Sequence, residues 1–309
     1  MAQHALDDRI DSLQRLIARL PDDTAKAHAY TLLVNSYYNR CALHSATHAD
    51  SVAFLQVAKA CRSFSKKLNY TYGVGYSFLA ESYFYYYLQK LPESSERLQQ
   101  AIAVFRASND KAHLALAYNV KAAMVTGENA LAKKISLYDT SAKLAHEGGD
   151  FISEGRALKE IADIHLSEGK YKIAIKELYK ILDLQKEKGD KAIFYTTDLL
   201  THAFMNTGNH KEALKNAIAT LDLCYKSNDT SLIVTFYQRL GDIYFSMRNY
   251  EKSYYYYNRA LSARNTEIWH TDQNKDQATM MILIKMAKCL MQQQKYKEAL
   301  LFLLSLIHI

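Results

Sequence analysis

The sequence predicts an all-α protein, a solenoid of stacked helix pairs, and three observations carry this prediction. First, Asn69, Asn109, Gly149, Gly189 and Asn228 follow one another at spacings of 40, 40, 40 and 39 residues. Asn and Gly tolerate the left-handed backbone that closes helices, and a fixed period of this size is typical of stacked hairpins. Second, apolar residues recur at helical spacing and strand patterns are absent. Third, the two prolines both fall at predicted breaks between helices.

The elements follow in order from these markers. Residues 6–20 form a lead helix with one apolar stripe, and Pro21 then breaks the chain before Asp23 and Thr24, which offer an N-cap. We therefore divide the chain into a lead or capping helix, 1–23, and a repeat array, 24–309. The array holds about seven helix pairs, near residues 24–67, 71–108, 111–147, 151–187, 191–226, 230–264 and 275–309.

The sixth pair carries the clearest motif. Its first helix spaces a bulky residue, a leucine, a small residue and an aromatic as Tyr237, Leu240, Gly241 and Tyr244, and aromatic and small residues follow over 250–261. This pattern resembles the signature of the tetratricopeptide repeat (TPR). The second, fourth, fifth and seventh pairs repeat it, and the first and third are degenerate. The resemblance covers residues 24–309 and implies an α-α superhelix.

Small residues are the physical basis of this signature. Ala162, Gly241 and Ala287 stand where the two helices of a pair have to approach closely, and large residues fill the space between pairs. The period of 40 residues exceeds the common TPR length of about 34. It resembles the extended TPRs of bacterial regulators and sensor kinases.

A second resemblance is confined to the opening of the chain. Residues 11–26 are similar to the lead-in of TPR sensor regions in bacterial two-component histidine kinases and related regulators. That resemblance implies a recognition region whose downstream signalling domain is absent from this chain. The apolar run 299–309 has no polar closing element, so we expect the natural protein to continue. The expected location is cytoplasmic, or periplasmic within a membrane-bound sensor.

Motifs for catalysis, cofactors and metals are missing, so we expect no enzyme activity, no cofactor and no metal site. His44 and His48 share a helical spacing but lack the further ligands a metal needs. Gly73 and Gly75 are not a dinucleotide fingerprint, because the third glycine and the preceding strand are absent. The four cysteines form no CxxC and fit buried apolar positions. No uncharged apolar run is long enough for a membrane span.

Charge and aromatic content leave alternatives open. The net charge is +7, and lysines concentrate over 170–191, where interleaved acids indicate a solvated helix face. The alternative is a patch for an acidic partner, although no nucleic-acid motif occurs and we expect no nucleic acid. The 24 tyrosines exceed what TPR packing needs, and some of the remainder are candidates for ligand contacts. Trp269 and His270 lie in a polar insertion, 265–276, which we predict to be either a surface loop or a contact element.

The TPR resemblance also implies a binding site. In TPR proteins the first helix of each pair lines a concave groove that receives a protein or peptide. Position within the repeat selects Asn119, Arg156, Lys159, Asp163, Tyr195, Asp198, His202, Asn206, Gln238, Asp242 and Lys288. This mixed polar set suits an extended peptide. Asp163 and Asp242 stand where the carboxylate clamp of chaperone-binding TPRs has an amide, so a chaperone adaptor is not expected.

Three function classes follow from these observations. The first is a non-catalytic protein- or peptide-binding scaffold, the sensor or interaction part of a bacterial signalling protein. The second is a stand-alone, peptide-responsive TPR regulator of a phosphorelay or of transcription. It calls for an effector module ahead of the repeats, and the lead helix 6–20 is too short for one. The third, an enzyme, would need a polar cluster in a closed pocket, and the sequence offers none.

Overall fold

The computed structural model describes residues 2–42, 47–188, 193–227, 230–265 and 272–305, and its elements in these ranges are all α-helices. The predicted all-α fold is thereby confirmed. In chain order the helices are α1 Ala2–Arg19, α2 Thr24–Cys41, α3 His48–Lys67, α4 Thr71–Tyr87, α5 Leu91–Ala107, α6 Lys111–Ala123, α7 Ala130–Glu147, α8 Phe151–Ser167, α9 Tyr171–Lys188, α10 Ile193–Asn206, α11 His210–Ser227, α12 Thr230–Ser246, α13 Tyr250–Asn265, α14 Asp272–Gln292 and α15 Tyr296–Ser305.

The 40-residue markers end second helices, as predicted. Asn69, Asn109 and Gly149 have φ angles of 53°, 54° and 70°. After α3, the Tyr70 amide donates to the Ser65 carbonyl at 2.9 Å and the Asn69 amide to Lys66 at 3.2 Å. This pair of bonds is the Schellman motif, which satisfies the last carbonyls of a helix. Gly189 and Asn228 lie outside the described residues.

A second series of left-handed residues closes the first helices. It consists of Gln89, Gly169, Gly208, Arg248 and Gln294, all with φ between 58° and 72°. After α12, for example, the Asn249 amide donates to the Tyr244 carbonyl at 2.9 Å. Because Gln and Arg occupy three of these five positions, Asn and Gly alone do not mark the series in the sequence.

Helix starts use side-chain caps where the sequence supplies them. Asp23 caps α2 by accepting from the amides of Ala25 and Lys26 at 2.9 and 3.2 Å, as predicted. Thr47 and Asp50 form a capping box at the start of α3. The Thr47 bonds and the neighbouring Arg40 lower the pKa of the Asp50 carboxyl. Pro92 lies in the first turn of α5, where no intrahelical amide is lost.

Close approach within a pair depends on small residues, as predicted for Gly241. A Cβ at this position would lie 2.5 Å from the ring of Tyr257, which is 2% exposed. The Ser253 hydroxyl donates to the Gly241 carbonyl at 2.8 Å, which ties α13 to α12. Ala162 and Ala287 are likewise buried.

The helices form two compact units, Met1–Ile161 and Ala162–Ile309. In unit 1, Phe54 and Phe84 pack with ring centroids 4.8 Å apart, and buried Glu81 pairs with Arg62 and Arg97 at 2.8 and 2.9 Å. In unit 2, the fully buried side chains include Leu200, Leu240, Ile243, Ile282 and Met286. The division into a lead helix 1–23 and an array 24–309 stays a proposal based on sequence pattern.

All four cysteines are buried and reduced, as predicted. Burial raises the pKa of the Cys41 thiol to about 11 and that of Cys61 to about 12. Burial also raises the pKa of Cys289. These three thiols therefore stay protonated at neutral pH, and all four cysteines pack as small apolar groups.

Candidate functional site on the first helices

The first helices of successive pairs contact each other in unit 1 through a row of tyrosines on α4. The Tyr76 hydroxyl donates to the Asn35 side-chain oxygen on α2 at 3.1 Å. Tyr83 lies 6.1 Å from Tyr38 of α2, measured between ring centroids. On the opposite side, the Tyr72 ring centroid lies 4.5 Å from that of His113 on α6. We call this contact layer the first-helix face of unit 1.

Asn119 on α6 is the most unusual polar residue of this unit. It is 8% exposed, and neither its side-chain oxygen nor its side-chain nitrogen has a hydrogen-bond partner in the described part of the chain. A buried polar group without a partner costs roughly 1–3 kcal/mol, so folded proteins rarely leave a whole carboxamide unsatisfied. The carboxamide offers one acceptor and two donors, the complement of a peptide bond.

Tyrosines and one arginine share this part of unit 1. Burial raises the pKa of Tyr83, and the positive charge of Arg156 on α8 opposes that rise. Burial also raises the pKa of Tyr138 on α7 to about 12, and the Glu160 charge adds to the effect. These phenols stay protonated at neutral pH and can donate hydrogen bonds. Arg156 itself is exposed, so its guanidinium is accessible.

In unit 2 the first helices are joined by charges. On α12, Arg239 Nη2 donates to the Asp198 carboxylate of α10 at 2.8 Å, and the Arg239 Nε also contacts this carboxylate. Asp242, one turn further along α12, accepts from the Lys285 ammonium of α14 at 2.7 and 3.0 Å. The Tyr257 hydroxyl donates to the same carboxylate at 2.5 Å. This ladder of alternating charge satisfies both aspartates within the protein.

The sequence-predicted site residues therefore divide into different environments. Asn119, Arg156 and Lys159 belong to unit 1, and the rest to unit 2. Asp198 and Asp242 both belong to the charge ladder. The Asn206 side-chain nitrogen donates to the carbonyl of His202 at 2.9 Å. The remaining assignments are as follows: Tyr195, His202, Asn206 and Lys288 are exposed, and Lys159, Asp163 and Gln238 are half-buried.

Several residues that join the first helices could not be identified from their position in the repeat. Tyr76 and Tyr83 were not among the predicted site residues, yet both are only half-buried and contact the preceding first helix. Arg239 and Lys285 were also not among the predicted site residues, although they lie 41 and 43 residues after their partners Asp198 and Asp242. An acid followed by a base about one repeat later was the signal that could have found them.

The residues that the structure describes contain no group of three or more His, Cys, Asp or Glu able to hold a metal ion. None of their helices combines the length and apolarity needed to cross a bilayer. His44, Trp269 and His270 lie outside the described residues.

Closely packed helix pairs that repeat every 40 residues and pack first helix against first helix define a TPR-type fold. Solved structures agree: the apo form of RapI superposes with a TM-score of 0.61 at 11% identity, over 98% of this chain and 75% of that chain. A Rap protein complexed with competence and sporulation factor gives 0.55 at 12% identity, over 98% and 79% of the chains.

A third similar structure is a signal transduction ATPase with numerous domains (STAND) from Pyrococcus horikoshii that carries a TPR sensor. Its TM-score is 0.63 at 14% identity, over 99% of this chain but 47% of that chain. Identities this low establish the fold alone. No protein-family model and no curated protein matches the sequence.

Proposed function

We propose that this protein is a non-catalytic, peptide-binding TPR scaffold that serves as the sensor or interaction part of a bacterial signalling protein. The observation that carries the proposal is the buried carboxamide of Asn119, both of whose polar atoms lack a partner among the described residues. An extended peptide supplies a main-chain N–H and C=O that complete this group. The ligand thereby removes a desolvation cost that the free protein bears.

The first helices beside α6 suggest which peptides fit. The first-helix face of unit 1 carries the half-buried tyrosines Tyr72, Tyr76 and Tyr83 on the preceding first helix, α4. Such residues give large contact area at low entropic cost. In this proposal Arg156, which is exposed on the next first helix, pairs with an acidic side chain or a terminal carboxylate of the peptide. The expected ligand is therefore an extended peptide with apolar residues and at least one carboxylate.

The other sequence-predicted residues have a different role in this proposal. Asp198 and Asp242 are engaged by Arg239 and Lys285, so they hold α10, α12 and α14 together. Exposed Tyr195, His202 and Lys288 remain candidates for ligand contacts within unit 2. The TPR-containing proteins of like fold support the signalling context: one Rap protein was solved with competence and sporulation factor, and the STAND protein carries its repeats as a sensor.

The test uses peptides selected from a random display library on the full chain, measured by isothermal titration. Asn119→Leu keeps the side-chain volume but removes both polar atoms, so we expect an affinity loss of about 10–100-fold from two lost hydrogen bonds. The variant should melt at the wild-type temperature or above, since a buried unsatisfied group disappears.

Thr196→Val is the matched control for this test. Thr196 is 1% exposed and its hydroxyl also lacks a partner, but it lies on α10 of unit 2. We expect the selected peptides to bind this variant as they bind the wild type. Equal binding to Asn119→Leu, or the failure of any peptide to be enriched, contradicts the proposal.

The second candidate is a stand-alone regulator of a phosphorelay or of transcription that responds to a peptide. Its support is that a Rap protein of like fold was solved with competence and sporulation factor bound. The two candidates share the peptide site and differ in what the occupied site controls. A change in the phosphorylation of a purified response regulator on addition of the chain would favour the regulator.

A further inference from the structure

A cluster of tyrosines around one arginine lies on α11, α12 and α13, apart from the proposed peptide site. The hydroxyls of Tyr225 on α11 and Tyr237 on α12 are 2.5 Å apart. Arg259 on α13 donates from Nη2 to the Tyr237 oxygen at 3.0 Å, and its guanidinium lies 5.4 Å from the centre of that ring. Three helices thus converge on two phenols and one cation.

The two phenols differ in burial. Tyr237 is 6% exposed, whereas Tyr225 is 50% exposed. Either hydroxyl can donate in the contact between them, and Arg259 donates to the Tyr237 oxygen. Because Tyr225 is half exposed, its hydroxyl can rotate toward an acceptor outside the protein.

Arg259 differs in its ionic contacts from other arginines of the described ranges. No carboxylate lies within ion-pair distance of it in the described ranges, whereas Arg40, Arg62, Arg97 and Arg239 each contact at least one. Arg259 is exposed, and at least two of its five N–H groups remain after its phenol contacts. The hydrogen bond with Tyr237 raises the pKa of Tyr225, so this hydroxyl remains protonated at neutral pH.

We propose that Tyr225, Tyr237 and Arg259 form a docking site for an acidic segment of a partner protein. A carboxylate of that segment accepts from the Tyr225 hydroxyl and from the Arg259 guanidinium. Tyr and Arg dominate the energetic centres of protein interfaces, and planar guanidinium groups match planar carboxylates. One cation fits a singly charged carboxylate, whereas phosphoryl groups are usually read by clusters of arginines.

The surroundings extend this site along α13. The Tyr256 ring lies 6.3 Å from Tyr237 and stacks on Tyr244 at 5.3 Å, with 4° between the ring planes. The Lys252 ammonium lies 5.4 Å from the centre of the Tyr244 ring. Lys252 precedes Arg259 by two helical turns, roughly 10 Å along the axis. The strip therefore offers a second cation to a segment with several carboxylates, and the net charge of +7 favours its approach.

The test measures binding of a fluorescein-labelled hexaglutamate peptide to the full chain by anisotropy, at about 50 mM salt to limit screening. Arg259→Gln should weaken binding about tenfold or more, because it removes a charge-assisted contact. Tyr225→Phe should weaken it by a few-fold, because it removes the hydroxyl while keeping the ring. Circular dichroism verifies that both variants fold.

Arg106→Gln is the matched control. Arg106 also donates to a tyrosine hydroxyl, that of Tyr118, at 3.1 Å, but that pair lacks a second phenol. We expect this variant to bind hexaglutamate as the wild type does. Absent binding, an unchanged affinity of Arg259→Gln, or equal losses in both arginine variants overturns the proposal. Tighter, Arg259-dependent binding of a hexaphosphoserine peptide overturns the carboxylate assignment.

Discussion

At the residue scale, the contact between Gly241 and Tyr257 leaves no room for a side chain. A Cβ at Gly241 would meet the Tyr257 ring at 2.5 Å, and that ring is held by its hydroxyl on Asp242. We expect Gly241→Val to destabilise the protein by roughly 1–3 kcal/mol through overpacking. Urea unfolding followed by circular dichroism measures this change.

Gly155 is the control for that substitution. It is buried inside α8, yet nothing lies within 4 Å of a Cβ added there. Gly155→Ala should stabilise the protein by about 0.5–1 kcal/mol, because glycine is costly within helices. If both substitutions shift the unfolding midpoint in the same direction, the close approach at Gly241 is not what the position requires.

At the scale of single elements, the turn after α12 departs from what its residue prefers. Arg248 has φ 58°, a left-handed conformation that costs a residue with a Cβ roughly 1–2 kcal/mol. We expect Arg248→Gly to stabilise the protein by up to about 1 kcal/mol, since glycine's larger unfolded-state entropy offsets part of the gain.

The reciprocal substitution tests the same reasoning at the preceding turn. Gly208 has φ 72°, and nothing lies within 4 Å of a Cβ added there. Gly208→Ala therefore adds only backbone strain. It should lower thermal stability where Arg248→Gly raises it. A neutral result for both substitutions would show that the turns relax into other conformations.

These turns also show how far sequence reasoning reaches. Asn69, Asn109 and Gly149 correctly predicted the ends of second helices, because their residue types favour the left-handed conformation found there. Gln89 and Arg248 gave no such signal, because the packing of the pair imposes their conformation. Asn119 was selected by repeat position, but its lack of a partner depends on neighbours from other helices. The ion pairs of Asp198 with Arg239 and of Asp242 with Lys285 likewise depend on residues about one repeat away.

At the scale of the whole molecule, two compact units predict a local response to local damage. Stability in repeat proteins is approximately a sum of repeat and neighbour terms. We therefore expect Gly241→Val to increase hydrogen–deuterium exchange in the helices of unit 2 and to leave the Phe54 and Phe84 region of unit 1 nearly unchanged. Mass spectrometry of exchanged peptides measures this. A uniform loss of protection would mean that the chain unfolds as one cooperative body.

The buried thiols have a practical consequence for all of these experiments. Because all four native cysteines lie in the interior, a single cysteine engineered on the surface would react first with maleimide dyes. A fluorophore placed at Lys121 or at Asn258 would report ligand arrival near Asn119 or near Arg259 separately. The two proposed sites can thus be titrated optically in an otherwise unaltered protein, with no need to replace any native cysteine.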